Sequence, residues 1–113
     1  MPWQIEFHDA LLPEVDALPR DVQKALAAHL RLLAEFGPEL GRPAVDTLKG
    51  SRIGNLKELR FSAVGGVWRL AFAFDRRRIA ILLAFGNKRG AAEARFYAAL
   101  IAKAEARWQM RGE

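Results

Sequence analysis

Glu58, Arg60, Arg69, Lys88 and Arg89 place one carboxylate among four cations in the second half of a chain that has no cysteine and only two histidines. Such a set permits one metal-free reaction, cleavage of RNA through the adjacent 2′-hydroxyl. A base takes the hydroxyl proton, cations stabilise the charge developing on phosphorus, and an acid helps the 5′-oxygen leave. Arginine cannot act as a base near neutral pH, so that part falls to Glu58 or to a lysine with a depressed pKa. Neighbouring cations keep Glu58 ionised, which readies it to accept a proton while lowering its basicity. A cross-strand ion pair with Arg69 is the purely structural alternative for this residue. The run Gly86-Asn87-Lys88-Arg89-Gly90 has the composition of a phosphate-binding turn, with two cations inside it and the free N–H groups of a helix to follow.

Other chemistries find no support. Without cysteine there is no disulfide framework, thiolate metal site or thiol nucleophile. His8 follows an apolar stretch and His29 sits amid Ala27, Ala28 and Leu30, so both read as structural residues, and no Ser-His-Asp arrangement is available. No carboxylates show metal-ligand spacing and no P-loop occurs, so neither metal nor cofactor is expected. No apolar run approaches the roughly 18 residues of a membrane span, and the first residues, Met1-Pro2-Trp3-Gln4-Ile5-Glu6, lack the features of a signal peptide. A cytoplasmic protein without a membrane partner is the expectation. The 113 residues, 51% hydrophobic and 27% charged, fit one globular domain over 1–113.

Charge is unevenly spread. Residues 1–50 hold five Lys/Arg against eight Asp/Glu, whereas residues 51–113 hold thirteen against five. Arginine supplies thirteen of the eighteen cations, and its planar fork suits bidentate phosphate contacts. The basic half would attract polyanions.

The elements that must position these residues can be read from periodicity. Trp3 to His8 predicts a first strand. Asp9 is a plausible N-cap for a helix to about Leu18, with Pro13 able to delay its start. Val22, Leu26, Leu30 and Leu33 recur at helical spacing over Asp21–Phe36, and Gly37-Pro38 ends that helix. Residues 38–55 hold five Gly or Pro and read as loop. Leu56–Phe61, Val67–Asp75 and Arg78–Phe85 read as three strands joined by short connections, hence an antiparallel meander. A second long helix follows to about Trp108, with Phe96, Leu100, Ala104 and Trp108 on one stripe. The order β-α-α-β-β-β-α predicts an α+β domain with a small, mostly antiparallel sheet and two long helices.

Alternation sorts the strand residues onto two faces. Leu59, Phe61, Trp68, Leu70, Phe72, Phe74, Ile79, Ile81, Leu83 and Phe85 form an expected large-residue face under the Asp21–Phe36 helix. Glu58, Arg60, Arg69, Ala71, Ala73, Ala80, Leu82 and Ala84 form the other, with Lys88 in phase just beyond. The alanines suggest a shallow floor ringed by charge that could admit a phosphodiester backbone. The alternative is a packed face that receives the C-terminal helix.

In order and spacing, Leu56-Lys57-Glu58-Leu59-Arg60, Val67-Trp68-Arg69-Leu70, the Ile79–Phe85 strand and Gly86-Asn87-Lys88-Arg89 resemble the RelE/ParE superfamily of bacterial toxins, most closely its HigB-like, phage-derived branch. The stretch from Pro43 to Leu48-Lys49-Gly50 fits as well. The resemblance implies the toxin of a type II toxin–antitoxin pair, neutralised by a helix-turn-helix antitoxin through which alone operator DNA is bound. It further implies metal-independent cleavage of mRNA on the ribosome. Carried over by position, Arg69 matches the arginine that stabilises the scissile phosphate, Arg89 the cation proposed as acid or phosphate stabiliser, and Lys88 its basic neighbour. Arg60 matches a further phosphate-contacting arginine and Tyr97 a tyrosine that stacks on a base, and Lys57 and Asn87 are expected to contact RNA. Leu56 and Glu58 stand where RelE-type members place catalytic lysines, which makes Glu58 a candidate base. A ParE-like gyrase inhibitor, or a basic RNA- or ribosome-binding module without catalysis, are the alternatives.

Overall fold

Apolar residues near the N-terminus begin the chain's first strand, β1 (Gln4–Phe7), in a computed structural model that describes residues 2–64, 66–87 and 92–111. Two helices follow, α1 (Leu12–Asp16) and α2 (Arg20–Phe36), then a 3-10 turn over Gly37–Glu39. Strands β2 (Val45–Thr47), β3 (Lys57–Ala63), β4 (Gly66–Phe74) and β5 (Ile79–Asn87) lead to the last helix, α3 (Glu93–Met110). The sheet order is β1-β5-β4-β3-β2, with β1 parallel to β5 and every other pair antiparallel. The expected α+β class is the one observed.

Two details differ from the expected order. Val45–Thr47 is a strand within the stretch read as loop, paired with Leu59, Glu58 and Lys57 of β3. Three residues between proline and glycine show no alternation to read, and the partner strand is what makes them a strand. The first helix is shorter than expected, because Pro13 occupies its first turn, the position where a missing N–H costs nothing.

The helices lie on opposite faces of the sheet. Val22, Leu26 and Leu33 of α2 are buried against Leu59, Phe61, Leu70 and Phe72. Leu100 and Ala104 of α3 are buried against Ala71, Ala73 and Ala84 on the other side. The α2 helix stops at Gly37, whose φ of 54° lies in the left-handed region and where a Cβ would collide with the Trp3 indole.

The face assignment read from alternation holds for β3 and β4 and fails for most of β5. Pairing passes from Phe72 opposite Leu82 to Ala71 opposite Ala84, so Leu83 is an extra residue in a β-bulge. Before the bulge, Ala80 and Leu82 face α2 while Ile79, Ile81 and Leu83 face α3, the reverse of the expectation. Beyond it, Phe85 returns to the expected α2 face. One inserted residue inverts a period of two, and no residue type at this position announces it. The bulge is held in place by Arg107 of α3, whose Nη1 donates to the Leu83 carbonyl at 2.9 Å while the guanidinium also pairs with Glu14 of α1.

The alanine floor is likewise corrected. Ala71, Ala73 and Ala84 are at most 1% exposed and lie beneath α3. Small side chains there let the helix approach the strands closely; they do not leave an open trough.

Candidate functional site

Because α3 covers the alanines, the polar residues of that face gather where the helix begins. Ala92, with extended backbone, starts the helix, and its first turns carry Phe96 and Tyr97 over the end of β4. Gly86 of β5 lies opposite Arg69 and makes room for Phe96, since a Cβ at this position would stand 2.9 Å from Phe96 Cε1. Arg69 is thereby enclosed between strand and helix, its side chain only 12% exposed.

A short relay fixes it. Arg69 Nε donates to Tyr97 Oη at 2.7 Å, and Tyr97 Oη donates to Glu58 Oε1 at 2.8 Å. The same carboxylate oxygen lies 3.7 Å from Arg69 Nε, and Arg69 Nη1 donates to the Val67 carbonyl at 3.3 Å. The guanidinium carbon sits 5.7 Å from the ring centroids of both Phe96 and Tyr97, within cation–π range. Burial, and then the hydrogen bond to Glu58, push the Tyr97 phenol above its ordinary pKa, so it remains a neutral donor at physiological pH.

This geometry bears on Glu58. At 5% exposure it lies under Tyr97 and Arg69, engaged by both. The ion pair with Arg69 runs diagonally across the strands, because Glu58 pairs in register with Ala71 while Arg60 pairs with Arg69. As placed, the carboxylate anchors the cation and does not face outward, where a base would meet a hydroxyl.

Arg60 and Arg69 face each other across the β3–β4 ladder, an unfavourable pairing unless each charge finds a partner. Arg60 approaches Asp46 of β2, with Nη2 at 3.9 Å from Oδ2, and its side chain keeps 34% exposure. Its Nε is buried without a hydrogen-bond partner among the described residues. The backbone N–H of Thr47, with Arg42 and Arg60, holds the Asp46 carboxyl below its ordinary range. Lys57 is not part of the cluster. It alternates onto the α2 face, where Nζ donates to Thr47 Oγ1 at 3.1 Å. Asn87 closes β5 opposite Trp68. Lys88, Arg89 and Gly90, the remainder of the expected phosphate-binding turn, lie outside the described residues.

Next to the relay is a cavity of about 320 Å³ lined by Phe85, Gly86, Asn87, Arg95, Phe96 and Lys103, among others. Two residues of this region escape a reading of motifs. Phe96 reads as one more apolar residue of the α3 stripe, although Tyr97 beside it signals a helix face that turns from core to site. Asp46 lies in a segment without periodicity. Among the described residues no three His, Cys, Asp or Glu side chains come together as a metal site would require.

Comparison with known proteins accords with this architecture. The family model described as "Phage derived protein Gp49-like (DUF891)" matches residues 13–109. A protein of Mycobacterium tuberculosis named "Putative toxin HigB2" is 47% identical over 77 residues, which cover 67% of this chain and 38% of that protein. A second from the same organism, "Putative toxin HigB3", is 45% identical over 84 residues, covering 71% of this chain and 72% of its own length. Among solved structures, a mutant of E. coli toxin RelE in the free state superposes with a TM-score of 0.62 at 17% identity, covering 91% of this chain and 97% of that one. The archaeal RelE–RelB complex from Pyrococcus horikoshii OT3 gives a TM-score of 0.59 at 18% identity over 80% of this chain and 100% of that one, a likeness of fold. With a match spanning residues 13–109, the chain belongs to the phage-derived Gp49-like family, is HigB-like in sequence, and shares the fold of the RelE structures.

Proposed function

We propose that the protein is the toxin of a type II toxin–antitoxin pair and that it cleaves messenger RNA on the ribosome. The observation that carries this reading is the Arg69 guanidinium, held by Tyr97, Glu58 and two aromatic rings at the mouth of the α3–sheet junction. A cation fixed in advance stabilises charge on phosphorus without reorganising during the reaction. The 2′-oxygen attacks phosphorus, the bond to the 5′-oxygen breaks, and one proton passes from the 2′-hydroxyl to the leaving oxygen. The products are a 2′,3′-cyclic phosphate and a 5′-hydroxyl, and no water or metal is consumed. Arg60 supplies a second phosphate contact, and Asn87, with Lys88 and Arg89 that follow it in the sequence, supplies further polar and cationic groups for the RNA. Glu58 serves in this reading as a positioning residue, holding Tyr97 and Arg69, which its burial and its two partners support. Tyr97 keeps its hydroxyl in that relay and offers the ring edge beside Phe96 to a base.

The partner in this reading is a small helix-turn-helix antitoxin that covers the basic rim, so the complex should weaken as salt is raised. A protein that works on ribosomes acts in the cytoplasm.

The test is to express the wild type and Arg69→Gln and to map the 5′ ends of cellular transcripts. Growth arrest with cleaved mRNA in the wild type, and a loss of cleavage of about 100-fold or more in the variant, is the expected result; an oxyanion donor contributes on this scale. Growth arrest with intact transcripts, or with inhibited DNA supercoiling, would overturn the proposal.

A further inference from the structure

At the end of the sheet away from Arg69, the β4–β5 turn carries three consecutive arginines, Arg76, Arg77 and Arg78, that the site above does not use. Arg76 and Arg78 are exposed and the Arg77 side chain is 67% exposed. The nearby carboxylate serves the turn and one of its arginines: Asp75 Oδ1 accepts the backbone N–H of Arg77 at 2.8 Å and of Ile79 at 3.1 Å, and Oδ2 accepts from Arg77 Nη2 at 3.3 Å, an exposed pair that a phosphate would have to share or displace. Arg78 has a φ of 63°, a left-handed conformation for which glycine or asparagine is the low-energy choice. An arginine stands there nonetheless, its guanidinium 4.7 Å from the Trp3 ring. Beside the turn runs a groove of about 710 Å³ lined by Phe74, Asp75, Arg76, Arg77 and Trp108. Past Phe74 and Trp108 it meets a second concavity of about 470 Å³ that includes Arg52 and Glu105. Glu105 is already engaged, accepting from Ser51 Oγ at 3.0 Å and from the Arg52 backbone N–H at 2.6 Å.

We propose that this groove is a second RNA-binding site, in which Arg52, Arg76 and Arg77 grip successive phosphates and Trp108 offers a face for base stacking. Arginines interleaved with aromatic rings are the composition of a surface that tracks a nucleic-acid strand. An acidic protein segment would satisfy the charges but leave the rings unused. The site is distinct from the first: Tyr97 and Trp108 are about 16 Å apart along α3, at roughly 1.5 Å per residue. The choice of RNA over other polyanions rests on the function proposed above, in which the ribosome supplies RNA to dock against while Arg69 meets the messenger.

The probe is a short fluorescein-labelled 2′-O-methyl oligoribonucleotide, which cannot be cleaved through its blocked 2′-oxygen, titrated by anisotropy over a series of salt concentrations. Removing two phosphate contacts with R76Q/R77Q should lower affinity about tenfold and reduce the log–log salt slope by about 1.4, at ~0.7 per phosphate for a single strand. R76K/R77K keeps the charge and should keep the slope, and matching thermal melts show that the variants fold. An unchanged slope in R76Q/R77Q overturns the proposal, as does tighter binding of DNA of the same sequence through the same residues. A protein that binds the probe through this turn yet leaves transcripts intact sinks the nuclease reading alone. One that cleaves mRNA while the probe ignores these substitutions sinks the groove alone.

Discussion

The Tyr97 hydroxyl does two jobs, accepting from Arg69 and donating to Glu58. Removing it in Tyr97→Phe leaves a buried carboxylate oxygen and a guanidinium N–H without their partner, a loss of about 1–3 kcal/mol. Urea unfolding should show that loss, and the freed guanidinium should drift toward the carboxylate 3.7 Å away. Cleavage should then fall by about tenfold, equivalent to ~1.4 kcal/mol of transition-state stabilisation. A phenylalanine variant as stable and as active as the wild type would show that the rings alone hold Arg69. The types of Glu58 and Arg69 drew attention in the sequence, and an ion pair between them was one of the readings, but the tyrosine that joins them was not. Nothing local says that a tyrosine 28 residues after Arg69 and 39 after Glu58 will stand between them.

Among the elements, the seam between α3 and the sheet decides the shape of the site. Ala71, Ala73 and Ala84 set how close the helix can come, and Gly86 allows Phe96 to seat at its entrance. Ala84→Leu would insert three heavy atoms into this packed seam and should cost about 1–3 kcal/mol by overpacking. The measurement is the shift in urea midpoint; a variant of undiminished stability would mean that the seam has slack. The bulge at Leu83 belongs to the same seam. It puts Leu83 and Ala84 toward α3 in succession, and Arg107 satisfies the Leu83 carbonyl. The three central strands, the two long helices and the α3 stripe were legible because each is a short-range period. The bulge was not, because it depends on how β4 and β5 fit against a helix encountered later in the chain.

For the molecule as a whole, charge sets the response to pH. Glu14, held by the Arg107 hydrogen bond, and Glu105, held by the Arg52 N–H and the Ser51 hydroxyl, have carboxyls below their ordinary values. Asp75 is lowered too, because the N–H groups of Arg77 and Ile79 outweigh its desolvation, and Asp46 by the Thr47 N–H. A depressed folded pKa gives stability that is present above the unfolded value, about 4 for these groups, and is lost as pH falls through the folded value. Thermal midpoints should therefore stay level from pH 7 to about 5 and decline below about 4, with higher salt reducing the difference because these pairs are solvent-accessible. At the alkaline end the raised Tyr97 pKa works in the opposite sense: stability should fall above about pH 10, as the phenol ionises in the unfolded chain first. A midpoint that rises on acidification would contradict this assignment.

Local order alone carried much of the outcome. Two long amphipathic helices, three central strands, the acidic-to-basic change along the chain and a motif order shared with the HigB-like branch were all present in the residues themselves. These features depend on neighbours a few positions apart, so the linear pattern holds them. Packing between distant segments decided the rest. It set which face each half of β5 presents, closed α3 over the alanines, buried Glu58 against Tyr97 and Arg69, and assembled the arginines of the β4–β5 turn with Trp108 from the end of α3. Each depends on where two segments meet in space, and a period of 2 or 3.6 along one segment contains no information about the other.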